Sequence, residues 1–211
     1  MSLSGASTAH GIPNFGANDR PDLAGSRGPG LPDITAAIDA LIGAYKIADT
    51  TLGSAASQIV FSAIPQNFAH LMLVVYLRGD VGSALSSANL RANADATADY
   101  DFQGLRANGA TIIGYESIGA TSTIVGDIPG GLAGAGIFGA AHILVPHYAG
   151  AVNGKSFESV SSAKVGVASG NIYTSTLAGF WRGVSNITTL TLIPASGNFV
   201  TGSRATLYGL A

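Results

Sequence analysis

The sequence predicts an all-β fold: a jelly-roll-like antiparallel sandwich preceded by an extended N-terminal arm and one short helix. Three observations predict it. From residue 50 onward, apolar residues recur at every second position in short runs, the period of a strand with one buried face. Turn-forming groups separate the runs, among them Ile64-Pro65-Gln66-Asn67, Asn108-Gly109, Ser169-Gly170-Asn171 and Ser196-Gly197-Asn198. Beyond residue 47 no stretch carries a helical period. About ten short strands at such spacing make a sandwich or barrel, and within that class the jelly roll is the expected form.

The elements follow in order. Residues 1–32 read as an arm, because Pro13, Pro21, Pro29 and Pro32 remove donors and the interspersed Gly resists ordering. Such a segment is expected to take its shape from a partner, with Phe15 as its docking candidate. Residues 33–47 read as a short amphipathic helix. Ile34, Ala37, Ile38, Leu41, Ile42 and Tyr45 share one helical face, and Asp33 is placed to cap the first turn. Three turns are marginal alone in water, so the stripe of Ile34, Ile38, Leu41, Ile42 and Tyr45 is expected at an oligomer or docking contact.

The domain over residues 50–211 is expected to hold strands at 58–63, 70–78, 89–94, 100–107, 111–117, 122–128, 142–146, 156–167, 172–182, 188–194 and 204–210. The run His70-Leu71-Met72-Leu73-Val74-Val75-Tyr76 is apolar at both parities and reads as a central strand covered on both faces. Thr188 to Ile193 alternates hydroxylated and apolar residues, as a strand with one wet face does.

Composition narrows the function. Charged residues are 10% of the 211, against roughly 25% in an average soluble chain. A surface so poor in charge suits a protein packed into an assembly better than one diffusing freely. The net charge of −2 lacks the basic field that nucleic acid requires. With no cysteine, disulfides, thiolate zinc sites and cysteine nucleophiles are excluded. The stretch Met1–Asn14 has neither Lys nor Arg nor an apolar core, so no signal peptide is expected there. The least polar run, Leu132–Val145, is shorter than the roughly 20 residues of a spanning helix, so no membrane insertion is expected.

In its landmark phrases the chain resembles a β-sandwich module recurrent in structural proteins of tailed bacteriophages. The phrases, in order, are Thr51-Leu52-Gly53-Ser54-Ala55-Ala56-Ser57-Gln58-Ile59-Val60-Phe61, Ile64-Pro65-Gln66, His70-Leu71 and Leu90-Arg91 with Asn93 and Asp95. Ile143 with Pro146-His147-Tyr148-Ala149-Gly150, then Trp181-Arg182, follow. Ile193-Pro194-Ala195-Ser196-Gly197-Asn198-Phe199 and Leu207-Tyr208-Gly209 complete the series. The likeness departs at Ala92 and Ala94, where it calls for an aromatic residue and a glycine. In the arm, Gly11-Ile12-Pro13-Asn14 and Asn18-Asp19-Arg20-Pro21 are similar to segments that attach phage appendages to virions.

The resemblance implies a non-enzymatic component on the virion exterior, assembled in the host cytoplasm as a homotrimer and contacting other capsid or tail proteins. A fibre or spike that binds host-surface glycan is the first expectation, a capsid-decorating (cement) protein the alternative, and a glycan-cleaving enzyme a remote one.

Site candidates are few. Asp95, Asp99 and Asp101 form the one acidic cluster, open to calcium or to an acid–nucleophile pair, though the spacing is not that of an EF-hand. Tyr173, Asn171 and Tyr148 are the candidates for ligand contact, and Trp181 is read as core. Gly134-Ala135-Gly136-Ile137-Phe138-Gly139 matches a dinucleotide fingerprint, but Pro146 and the β-branched run before it deny the following helix, so no cofactor is expected. Pro146 also parts His142 from His147, which removes a helical metal pair.

Overall fold

The computed structural model describes residues 43–166 and 171–211. The twelve strands among them are β1 (Ala44–Thr51), β2 (Ile59–Phe61), β3 (His70–Leu77), β4 (Leu85–Ala92), β5 (Tyr100–Asn108) and β6 (Thr111–Ala120), then β7 (Thr123–Pro129), β8 (Gly139–Pro146), β9 (Lys155–Lys164), β10 (Ile172–Trp181), β11 (Leu190–Pro194) and β12 (Arg204–Leu210). Each run predicted from the period-two pattern overlaps one of β2 to β12, with ends that differ by up to four residues.

Two antiparallel sheets result, a large one in the order β1-β12-β3-β8-β9-β10-β5-β6 and a small one in the order β2-β11-β4-β7. The pairs β2·β11, β3·β8, β4·β7 and β5·β6 nest inside one another along the chain. Folding such a nested ladder so that successive strands alternate between sheets makes a jelly roll, and the expected topology is met. The β9–β10 hairpin enters between β8 and β5, while β12 and β1 extend the sheet beyond β3.

The core lies between the sheets. Leu71, Leu73, Val75 and Leu77 of β3 meet Ile143 and Val145 of β8, Leu90 of β4 and Leu190 and Leu192 of β11, all buried. Period two puts them on one side of each strand. Phe199 is buried in the same core, and its strand-like bridges to Ala56 and Gly79 tie the loop before β12 to two other segments.

Two expectations are corrected. The strand His70–Leu77 is interior to its sheet but not covered twice: Val74 and Tyr76 point outward and are 44% and 49% exposed. Among the described residues there are two layers, and neither covers that outer face. The helix expected over 33–47 does not extend through its last turn, because Ala44–Ile47 belongs to β1 and pairs with β12. Gly43, at φ 62°, stands in the left-handed region just before that strand, where an α-helix cannot continue. Tyr45 stacks on Phe68 at 5.7 Å between ring centres instead of joining a helical stripe. The arm with Phe15, and Ile34, Ile38, Leu41 and Ile42, lie outside the described residues.

Candidate functional site

The acidic cluster is used internally. Asp95 follows Asn93 and Ala94, both left-handed at φ 51° and 56°, which turn the chain sharply after β4. A glycine would take the Ala94 conformation without steric cost. The turn aims Asp95 Oδ2 at the Trp181 indole N–H, 2.7 Å away, while Oδ1 accepts from the Thr97 amide and hydroxyl. Burial works against the Asp95 carboxylate, but these donors and the Arg91 charge together hold its pKa below the ordinary value. The Thr97 hydroxyl also reaches Asp99. Asp101 takes both arms of the Arg182 guanidinium and the Gly119 amide. Each of the three carboxylates therefore has a protein partner within the domain. Among the described residues no group of three or more His, Cys, Asp or Glu is placed to hold a metal.

Beneath this loop Tyr100 stacks on Trp181, and its hydroxyl accepts from the Ala92 amide at 2.9 Å. Burial pushes the Tyr100 hydroxyl up to about 12 from an ordinary 10. Below the ordinary value both folded and unfolded chains keep the proton. As pH rises through the window between the two values the unfolded chain ionises first, so stability falls there. Tyr100→Phe is expected to flatten that alkaline loss, read from urea midpoints measured below and within the window.

The ligand candidates separate. Tyr148 is fully buried and its hydroxyl donates to the Pro65 carbonyl, so it offers no face to a ligand. The preceding His147, at φ 48°, turns the ring into the core, and it is this tertiary bond that the Pro146-His147-Tyr148 phrase encodes. Asn171 serves the β9–β10 connection by accepting from the Val165 amide through its carbonyl. Tyr173 sits opposite Asn108 and Ala163 on the inward parity of β10. The structure does not bring these three residues together.

The glycine-rich loop holds a cation rather than an anion. Carbonyls of Gly131, Ala133, Gly134 and Ile137 converge on the Arg78 guanidinium at 2.5 to 3.3 Å. A phosphate cradle needs amide N–H groups turned inward and a helix behind them, and here oxygens face in and β8 follows. His70 accepts from the His147 amide at 3.2 Å and the two rings meet edge to face. His142 lies apart on the outer face of β8, opposite Val74 and Val160.

Two features escaped sequence reasoning. Inside the sandwich Asp127 is 1% exposed, with Arg106 Nε 2.7 Å from one carboxylate oxygen and the Arg106 terminal nitrogen on the other. The Ser175 hydroxyl donates to the same carboxylate, and the Asp127 amide donates to the Ser161 hydroxyl. Tyr115 lays its ring under the guanidinium, 5.2 Å from ring centre to carbon. The cluster clamps β7 onto β5, β9 and β10.

The other feature is a shallow depression of about 430 Å³ on the outer face of the large sheet. One row across four strands runs Glu158, Ala178, Gln103, Glu116. The next row sets Ser156, Phe180 and Asp101 side by side. Ala178 is the floor because longer side chains stand on both sides of it, and Phe180, 40% exposed, forms a wall. Glu116 and Glu158 have no side-chain partner among the described residues. Of this set the sequence points to Asp101 in the acidic cluster and to Phe180, which beside Trp181 is expected in the core and stands outward instead; alternation marks the others as outward-facing, but not as neighbours.

No protein-family model, curated protein or solved structure matches the chain.

Proposed function

We propose that this chain is a non-enzymatic structural component on the exterior of a tailed bacteriophage virion. In this reading residues 1–32 dock it to the particle, subunits gather as a trimer, and the jelly roll is displayed to bind host-surface glycan. The jelly roll hosts viral capsid and lectin domains alike, which is support by analogy of fold. The sequence likeness and the scarcity of charge point the same way.

The observation that carries the reading is the Phe180 depression. An exposed ring beside Gln103, Glu116 and Glu158 offers an apolar face for a sugar ring and acceptors for its hydroxyls, set on a rigid sheet. Two negative carboxylates favour neutral or amino sugars over acidic ones. Capsid decoration is the second reading. It is favoured by the row Val74, His142, Val160, Thr176, Leu105 beside the depression, a surface suited to packing against a neighbour.

The test joins position to binding. Antibody-labelled particles are expected to show the protein at fibre or spike tips, in a few to some tens of copies; hundreds of copies over the head would select decoration instead. The purified chain is expected to bind a host polysaccharide, and Phe180→Ala to weaken it by about tenfold, or roughly 1.4 kcal/mol. Absence from particles sinks the virion reading, and unchanged affinity in Phe180→Ala sinks the glycan site.

A further inference from the structure

Sheet edges present unpaired amide and carbonyl groups, and folded proteins protect them with short strands, bulges, charges or covering elements. The two sheets have four edges. β2 is only three residues long. β7 is packed against β9 and β10, with Gly126 against Ser161 and Thr123 against Gly179. β1 carries a bulge between Lys46 and Ala48, and the charges of Lys46 and Asp49. The edge at β6 is protected only at its far end, by a bulge between Ser117 and Ala120 where Gly119 stands at φ 70°. Its ladder to β5 is regular from Thr111 to Ser117, contains no proline and holds Glu116 as its one charge. Ile112 and Ile113 in that stretch are 73% and 49% exposed. Among the described residues nothing covers it.

We infer that a second copy of this chain covers it, β6 pairing antiparallel with the partner's β6 about a two-fold axis at Gly114. Gly114 is the midpoint of the regular stretch, so this register uses the whole of it. A two-fold axis normal to the sheet keeps outward residues beside outward residues. Thr111 then faces the partner's Ser117, Ile112 the partner's Glu116, and Ile113 the partner's Tyr115, each pair occurring twice. Ile113 with Tyr115 is a β-branched–aromatic pair, among the favourable cross-strand combinations. The two Glu116 carboxylates are four residues apart along the strands, about 13 Å, beyond the screening length of physiological salt. Centring the pair on Glu116 would instead oppose the two charges directly. This register thus spans the regular length of the strand without opposing like charges, and the contact joins two large sheets into one. It goes beyond the virion reading and does not depend on it.

The absence of cysteine from the chain makes the test clean. A Cβ at Gly114 would meet only Leu105 Cδ2, at 3.7 Å, so Gly114→Cys fits the fold. Directly opposed residues of an antiparallel pair lie about 4.5–5.5 Å apart at Cα, within disulfide range. In the full-length chain Gly114→Cys is expected to oxidise to a covalent dimer on a non-reducing gel. Ile118→Cys, exposed on the same strand but unopposed in this register, is expected to lag far behind. In the cysteine-free chain Ile113→Lys is expected to halve the mass measured by sedimentation, three copies from six if the subunits also trimerise, with the strand content read by circular dichroism unchanged. Equal cross-linking of the two cysteine variants, or an unaltered mass in Ile113→Lys, overturns the inference.

Discussion

Asp127→Ala is expected to destabilise the domain by about 3–5 kcal/mol, the range for removing one partner of a buried ion pair. The carboxylate is 1% exposed and takes both arms of Arg106 as well as the Ser175 hydroxyl. Without it the guanidinium stays under Tyr115 with no counter-charge, and a buried hydroxyl loses its acceptor. The loss is expected as a lower urea midpoint at unchanged slope, which keeps the assignment to the folded state. Replacing both partners, Arg106→Leu with Asp127→Leu, is expected to recover most of it, because no isolated charge then remains inside. If Asp127→Ala alone shifts stability by less than about 1 kcal/mol, the cluster is not the clamp between β7 and the large sheet.

Trp181→Ala is expected to cost a similar amount, about 3–5 kcal/mol, the usual range for truncating a large buried aromatic. The indole is 4% exposed, stacks on Tyr100 and donates to Asp95, so it holds both the core end and the loop after β4. Trp181→Phe is expected to keep most of the packing and lose mainly the hydrogen bond to the carboxylate, about 1.5–3 kcal/mol. In combination with Asp95→Ala that second loss is expected to shrink, since the two changes remove the same bond. A glycan-platform role for the indole would predict the reverse pattern: binding lost and stability kept.

The landmark phrases show what kind of information the chain carries locally. Gln66 bonds the carbonyls of Ile64 and Ile187, Asn93 bonds the amides of Thr188 and Thr189, and Asn198 bonds the Asp80 carboxylate beside the left-handed Gly197. Those residues form the corners of the jelly roll. The turn residues could be read without coordinates because turn chemistry is local, whereas the partners of Gln66, Asn93 and Asn198 stand some 95 to 121 residues away. The phrases speak of fold and leave the ligand unaddressed, because their polar groups are spent on bonds within the chain.

Alternation of side chains is a property of neighbours in sequence, so the strands β2 to β12, the turns between them and the all-β class were determined by the sequence itself. Partnership across strands is not a local property, and only the tertiary structure decided it. Arg106 met Asp127 because the nesting of hairpins stacks β7 beneath β5 and β10. Ala178 became a floor because β9 and β5 flank it with longer side chains. Ala44–Ile47 became strand because β12 supplied hydrogen-bond partners that a short helix over the same residues lacks. Tyr148 went to the core because the carbonyl of Pro65, 83 residues away in the chain, accepts its hydrogen bond. The local period sets which face each residue takes; the long-range pairing sets what stands opposite it.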